Sequence, residues 1–153
     1  MNTTVDTSRN PLGRCDLRVS PAIADGDMHL KNMALLKTVE PGDRQFRSVR
    51  MAPLYDAVST CEFPKLKHDR LALKLNENDD NLRRADFRAL ATTAGLRAGD
   101  ADAAVESVLQ KLGRAVDTIA IPKAIDLTDE TQKMTAEILG IWRRRIEAMA
   151  QEV

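Results

Sequence analysis

The sequence predicts a mainly helical domain that contains one small β-hairpin. Aromatic residues make up only 3% of the chain, so its core must consist of Leu, Ala, Val, Ile and Met, a composition that favours helices. Apolar residues recur at helical spacing in three segments of the second half. Nearer the middle, the pair Pro41-Gly42 separates two short apolar runs, which is typical of a hairpin.

The three predicted helices lie between residues 85 and 152. Gly95 follows the first apolar stripe and predicts its C-terminus. Pro122 separates the second helix from the third, which Asp126 or Thr128 is predicted to cap. We expect the second stripe to pack against the third. The stripes are Phe87, Leu90, Ala91 and Ala94; then Val105, Val108, Leu109, Leu112, Val116 and Ile119; and then Met134, Ile138, Ile141, Trp142, Ile146 and Met149.

The first half of the chain is predicted to be less regular. The hairpin pairs MALLKT with FRSVRM across VEPGDRQ. Leu71, Leu73 and Leu75 alternate with other residues, which predicts a short strand or an extended segment, followed by an Asn- and Asp-rich loop at residues 76–81. The start of the chain shows no periodicity. We therefore predict a poorly ordered arm at residues 1–22 and a domain at residues 23–153.

Composition excludes several classes of protein. The chain has 153 residues, 43% of them hydrophobic, with 23 basic and 23 acidic side chains. This hydrophobic fraction is typical of a folded domain. The balanced charge argues against a protein whose main function is to coat nucleic acid. No apolar run approaches the roughly 20 residues of a membrane helix, and the N-terminus does not resemble a secretory signal. Cys15 and Cys61 form neither a metal spacing nor a disulfide framework, so we expect a reduced, cytoplasmic setting without membrane contact.

One segment carries residues suited to chemistry. In GDMHLKN, Asp27 and Asn32 have the spacing of the protein-kinase catalytic loop, where the Asp accepts the substrate hydroxyl proton and the Asn offers an oxygen to Mg²⁺. Asp56 follows the hairpin, where a second carboxylate would complete a magnesium site. On spacing alone, all three could equally be capping or turn residues, and His29 could be a structural histidine.

The sequence also resembles the HipA-like serine/threonine kinase toxins of bacterial type II toxin–antitoxin modules. The resemblance rests on four blocks in order, GDMHLKN, MAPLYDAVST, DRLALKLN and RRADFRALA. It covers roughly residues 25–150, which would correspond to the C-terminal subdomain of such a kinase. The implied fold is a helical kinase-like C-lobe with the hairpin beside the catalytic loop.

The resemblance implies ATP and Mg²⁺ as cofactors and assigns roles to six residues. Asp27 would be the catalytic base, and Asn32 and Asp56 would bind the metal. The residues that contact the nucleotide and its metal would be His29, Lys31, Asn32, Tyr55 and Asp56. Members of the family phosphorylate a serine or threonine of a protein target, autophosphorylate, and are held in check by a small DNA-binding antitoxin.

The chain also departs from a complete kinase of this family. None of its glycines forms a G-x-G-x-x-G or G-x-x-x-x-G-K-[ST] phosphate loop, and no Val-Ala-Ile-Lys-like strand precedes Asp27. The isolated chain is therefore expected to be inactive or nearly so. It would be a truncated gene product or one half of a split kinase, with a separate N-terminal kinase half as a possible partner.

Two other functions compete with the kinase hypothesis. The chain could be a non-catalytic remnant, a helical module that binds an antitoxin or another partner. It could also bind DNA, given a mild basic bias at residues 65–97 and the run Arg143, Arg144 and Arg145. Because such runs are typical of solvated helix faces, we expect DNA contact only indirectly, through an antitoxin.

Overall fold

The structure, a computed structural model, describes residues 16–66, 70–122, 124–125 and 127–151. This part of the chain folds as α1 (Asp16–Ala22), a 3₁₀ turn (Leu30–Asn32), β1 (Leu35–Thr38), β2 (Ser48–Met51), α2 (Arg84–Thr93), α3 (Ala98–Thr118) and α4 (Asp129–Ala150). The predicted fold class, mainly helical with a small hairpin, is therefore confirmed. Among the described residues, no helix is both long and apolar enough to cross a membrane.

The helix α1 overlaps the end of the predicted N-terminal arm, residues 1–22. Residues 1–15 of that arm, including Cys15, lie outside the described residues. Residues 16–22 are helical, and Pro21 and Ala22 are buried, so a poorly ordered arm does not reach residue 22. Ala22 belongs to the core cluster, and the Arg145 guanidinium donates a hydrogen bond to the Pro21 carbonyl at 3.1 Å. Tertiary contacts of this kind stabilise a short helix that its own sequence does not reveal.

The ends of the predicted helices follow from local chemistry. Gly95 ends α2 with φ of +69°, a left-handed conformation that glycine adopts without steric penalty. Its N–H donates to the Thr92 carbonyl at 3.0 Å, and the Leu96 N–H donates to Ala91 at 2.7 Å, which together form a Schellman motif. At the start of α4, the Thr128 hydroxyl accepts the Thr131 N–H at 3.1 Å. Thr128 is thus the N-cap, while the alternative Asp126 lies outside the described residues.

The core lies where α3 meets α2, α4 and α1. Its buried members are Ala22, Leu75, Leu82, Phe87, Val105, Leu109, Val116, Ile146 and Met149, with Leu112, Leu139 and Trp142 packed against them. The predicted packing of the second stripe on the third is confirmed by these residues. Three members of these two stripes are wrong. Ile119 and Met134 are 52% and 43% exposed. Ile138 is only half-buried, and Leu139 packs on the cluster in its place.

The hairpin forms where the two apolar runs predict it. β1 pairs antiparallel with β2, with Leu35 opposite Met51 and Thr38 opposite Ser48. The pairing continues past the strands, since the Ala52 N–H donates to the Ala34 carbonyl at 2.7 Å. The segment at residues 71–75 is not a strand: it bends at residues 72 and 73 and makes one isolated bridge, between Leu75 and Asn78. The hairpin therefore returns the chain from residue 52 to the neighbourhood of residues 29–34.

Candidate active site

Two polar segments lie side by side at the base of the hairpin. We call them the Asp27 loop, residues 24–32, and the Asp56 segment, residues 52–60. The Tyr55 hydroxyl donates to the Lys31 carbonyl at 2.8 Å, and the Gly26 N–H donates to the Thr60 hydroxyl at 2.9 Å. These contacts span 24 and 34 residues of sequence. The hairpin and this pairing bring the two segments together.

Asn32 connects the two segments at the predicted metal site. Its side-chain amide, Nδ2, donates to Asp56 Oδ2 at 2.9 Å, and its Oδ1 accepts the His29 N–H at 3.2 Å. The residue is only 1% exposed, so both polar ends of the amide are satisfied inside the protein. The expected proximity of Asp56 and Asn32 is confirmed.

Asp56 presents a carboxylate at the surface. Its φ is +55°, a left-handed conformation that Asp tolerates better than most residues. The side chain is exposed, and the hydrogen bond from Asn32 to Oδ2 fixes its direction. Among the described residues, Oδ1 has no hydrogen-bond partner. This oxygen can therefore bind a hard cation without losing a contact within the protein.

Asp27 lies exposed on the turn that precedes the 3₁₀ helix. Its backbone N–H donates to Asp25 Oδ1 at 3.2 Å. Within the described part of the chain, its carboxylate has no hydrogen-bond partner and is open to solvent. Such a carboxylate is available to accept a proton from an incoming hydroxyl.

The three remaining predicted residues surround the 3₁₀ turn. Lys31 is exposed on the turn itself, and Tyr55 is 41% exposed with its hydroxyl held on the Lys31 carbonyl. His29 is half-buried, and its Nδ1 is buried without a hydrogen-bond partner among the described residues. An unpartnered buried nitrogen destabilises the folded state unless a ligand or water satisfies it. The predicted nucleotide-contacting roles of these residues stay predictions.

The residues present suit Mg²⁺ with nucleotide phosphates better than a metal held by protein alone. The described residues contain no group of three or more His, Cys, Asp and Glu side chains placed to hold a metal ion. Asp56 supplies a carboxylate and Asn32 an amide oxygen, both of them hard donors. Mg²⁺ commonly takes one or two such ligands and completes its shell with phosphate and water oxygens.

Sequence reasoning missed two buried polar residues, Asp25 and Thr60. They are 1% and 4% exposed. The Thr60 hydroxyl accepts the Gly26 N–H and donates to the Ala24 carbonyl at 3.2 Å. Burial raises the pKa of the Asp25 carboxyl, and hydrogen bonds from Asp27 and Ser20 oppose that rise. The only signal in the sequence is a polar residue directly after the apolar run PAIA, which is a weak one.

A groove borders the Asp27 loop at Ala24, Asp25 and Gly26. It runs between α1, residues 79–82 and α4, and its lining includes Pro21, Asp25, Leu82 and Arg145. Asp27, Asn32 and Asp56 do not line it. Asp27 and Asp56 instead lie exposed to solvent, whereas Asn32 is buried.

The fold and the site define a helical domain with a polar loop anchored beside a hairpin. The family model described as the HipA-like C-terminal domain matches residues 17–117, which is more than half of the 153-residue chain. The chain therefore belongs to the HipA-like C-terminal domain family. The match starts inside α1 and extends through almost all of α3. No curated protein and no solved structure matches the chain.

Proposed function

We propose that this chain is the catalytic subdomain of a HipA-like toxin kinase. It would transfer the γ-phosphate of ATP, in the presence of Mg²⁺, to a serine or threonine hydroxyl of a cytoplasmic protein target. The observation that carries the proposal is the contact of 2.9 Å between the Asn32 amide and the Asp56 carboxylate. It joins two residues that are 24 positions apart, in a chain whose family is established by residues 17–117.

In this function each residue performs a step suited to its environment. Asp27, exposed and without a side-chain partner among the described residues, accepts the proton of the substrate hydroxyl. Asp56 and the Asn32 amide oxygen would hold a cation, which would neutralise charge on the phosphate oxygens. Asn32 has a second task, because its amide nitrogen fixes the Asp56 carboxylate in one orientation.

The nucleotide itself needs further contacts. Lys31 and Tyr55 border the site, and the unpartnered His29 Nδ1 offers a nitrogen to a ligand or a water molecule. The seven glycines of the chain form no phosphate-binding loop. We propose that an N-terminal kinase half covers the phosphates, and that an antitoxin regulates the assembled kinase.

The proposal is tested by transfer of radiolabelled phosphate from ATP, with the N-terminal half of a HipA-like kinase present or absent. We expect little transfer by the chain alone and measurable transfer by the mixture. Asp56→Asn should then lower transfer by about 10²-fold or more, since the cation loses its carboxylate ligand. Asp117→Asn is the control, because Asp117 is an exposed carboxylate on α3 whose partner is Arg143. Equal activity of the two variants would contradict the assignment of Asp56.

A different observation favours the alternative function, in which the chain is a non-catalytic module that binds a partner. The hairpin exposes several apolar side chains, among them Leu35 at 56%, Val39 at 50% and Phe46 at 49%. If binding is the function, Leu35→Ser with Phe46→Ser should weaken binding of the antitoxin encoded beside the protein, and Asp56→Asn should leave that binding unchanged. Phosphate transfer by the mixture that requires Asp56 would exclude this alternative.

Direct DNA binding receives no support from Arg143 and Arg145 of α4. Arg143 pairs with Asp117 at 3.4 Å, and Arg145 donates to the Pro21 carbonyl. Both side chains thus contact the protein itself, as expected for a helix face. We propose that any DNA contact is made by the antitoxin.

A further inference from the structure

We propose that Asp25 and Thr60 are positioning residues for Asp27, acting as a buried polar clasp that fixes the backbone of the Asp27 loop. The inference rests on the proposed function, because it takes Asp27 as the base. Neither residue lies on the exposed surface that the nucleotide would contact, since both are almost completely buried. Their effect on transfer would therefore pass through the loop.

Asp25 holds the loop from inside. Its Oδ1 accepts the Asp27 N–H at 3.2 Å, and its Oδ2 accepts the Ser20 hydroxyl at 3.4 Å. Its own N–H donates to the Ser20 carbonyl at 2.9 Å. Asp25 therefore connects the backbone of the base to the last turn of α1. Because α1 contacts both α3 and α4, the position of the base is tied to the helical core.

Thr60 holds the loop from the opposite segment. Its hydroxyl accepts the Gly26 N–H at 2.9 Å and donates to the Ala24 carbonyl at 3.2 Å. The Thr60 N–H also donates to the Ala24 carbonyl, at 3.0 Å. The same stretch of chain carries Asp56, so one segment supplies the proposed metal ligand and also anchors the loop of the base.

The conformation of the loop explains why such a clasp is needed. Ala24 has φ of +57°, a left-handed conformation that destabilises a residue with a Cβ by about 1 kcal/mol or more. This strain persists only where surrounding contacts favour it, and here the Ala24 carbonyl accepts both hydrogen bonds from Thr60. Without the clasp, the loop would relax and the exposed Asp27 carboxylate would move with it.

Two pairs of variants separate positioning from general stability. Thr60→Val removes the hydroxyl and keeps the shape, whereas Thr60→Ser keeps the hydroxyl. Asp25→Ala removes the acceptor of the Asp27 N–H, whereas Asp25→Asn keeps an oxygen that can accept it. Each variant is made in the full chain and assayed with the N-terminal kinase half added. Thermal unfolding is recorded for each, so that rates are compared only at temperatures where the variant is folded.

The first readout does not depend on activity. Hydrogen exchange at single amides, followed by NMR, should become about tenfold faster at Gly26 in Thr60→Val and at Asp27 in Asp25→Ala, because each amide loses its side-chain acceptor. Thr60→Ser and Asp25→Asn should stay near the wild-type rate. The Ala52 amide, which donates to Ala34 in the hairpin, is the internal control and should not change.

The second readout is whether a substitution changes kcat or KM. Misplacing the base should lower kcat by about 10²-fold in Thr60→Val and Asp25→Ala, with KM for ATP unchanged and activity retained in Thr60→Ser. Unchanged amide exchange would overturn the clasp, and faster exchange with an unchanged kcat would overturn its role in positioning. A wild-type mixture that transfers no phosphate would instead refute the proposed function and, with it, the catalytic purpose of the clasp. The exchange rates would still show whether the clasp holds the loop.

Discussion

The helical core is held by apolar packing, whereas the Asp27 loop combines a buried apolar residue, Met28, with several buried polar contacts. In the core, Val105 and Leu109 are 1% and 4% exposed and contact other apolar side chains. In the loop and its neighbouring segment, the buried residues include Asp25, Asn32 and Thr60, each held by directional hydrogen bonds. Burial of an apolar side chain stabilises by about 1.5–3 kcal/mol without a strict direction, whereas a hydrogen bond adds only about 0.5–1.5 kcal/mol net.

This difference predicts that substitutions in the two regions have different consequences. Apolar packing determines whether the chain folds, since it supplies most of the favourable free energy. Hydrogen bonds in the loop determine where particular atoms lie, which matters for transfer of a proton or a phosphate. Core variants should therefore change stability, and loop variants should change activity more than stability.

The largest expected effect on stability is in the core. Leu109→Ala should lower the free energy of unfolding by about 2–5 kcal/mol, through lost burial and the cavity that remains. Urea unfolding monitored by circular dichroism measures this change. Leu127→Ala is the control, because Leu127 is 63% exposed and should change stability by less than about 0.5 kcal/mol. Similar midpoints for the two variants would mean that the assigned core is wrong.

A smaller effect is expected at the link between the two polar segments. Asn32→Ala should lower the free energy of unfolding by about 1–3 kcal/mol, because the His29 N–H and the Asp56 carboxylate lose their partner. Gln110→Ala removes an exposed hydrogen bond to Glu106 and should have almost no effect. Denaturant unfolding of both variants checks the comparison, which fails if Asn32→Ala is as stable as Gln110→Ala.

Substitution of the N-cap residue of α4 tests the stability of the helical region without changing a core residue. Thr128→Ala should lower the free energy of unfolding by about 1 kcal/mol, since the Thr131 N–H loses its acceptor. Thr128→Ser should retain most of the stability because it keeps the hydroxyl. Thermal unfolding of the pair is sufficient to measure the difference. If both variants melt together below the wild type, the hydroxyl is not the cap.

The smallest expected signal is a dependence on pH that arises in the loop. Burial raises the pKa of Asp25 in the folded state, so the folded protein favours the protonated carboxyl. The resulting stabilisation, relative to Asp25→Asn, is complete below the ordinary Asp pKa of about 3.9 and is lost as the pH rises through the folded-state value. As the pH rises from acidic to neutral, the unfolding free energy of Asp25→Asn should therefore increase relative to that of the wild type. A constant difference across that range would contradict the raised pKa.

Much of the fold could be predicted because the signals are local. The repeating apolar residues predict α2, α3 and α4, with helix ends correct to within a few residues. Gly95 marks the end of α2, and Thr128 marks the start of α4. The hairpin follows from two apolar runs around Pro41 and Gly42. By contrast, α1 carries Pro21 and is stabilised by contacts with α3 and α4. Such contacts connect residues far apart in sequence and leave no local pattern.

The candidate site divides in the same way. The hairpin before Asp56 indicated that Asp56 would return to the neighbourhood of Asn32, and the two side chains are in contact. Asp25 and Thr60 could not be found, because their importance comes from hydrogen bonds that reach Ser20 on α1 and Ala24 in the loop. Short polar residues of this kind are common in ordinary turns. Only the folded chain shows that these two are buried.

The most direct test of the account is the rate of phosphate transfer by Asp27→Asn, measured with radiolabelled ATP in the presence of the N-terminal kinase half. Asp27 is exposed and its carboxylate has no partner among the described residues, so the substitution should leave the melting temperature unchanged. Transfer should fall by about 10²–10⁴-fold, the usual contribution of a general base. Transfer at the wild-type rate by this folded variant would contradict the claim that the Asp27 loop is the catalytic part of the molecule.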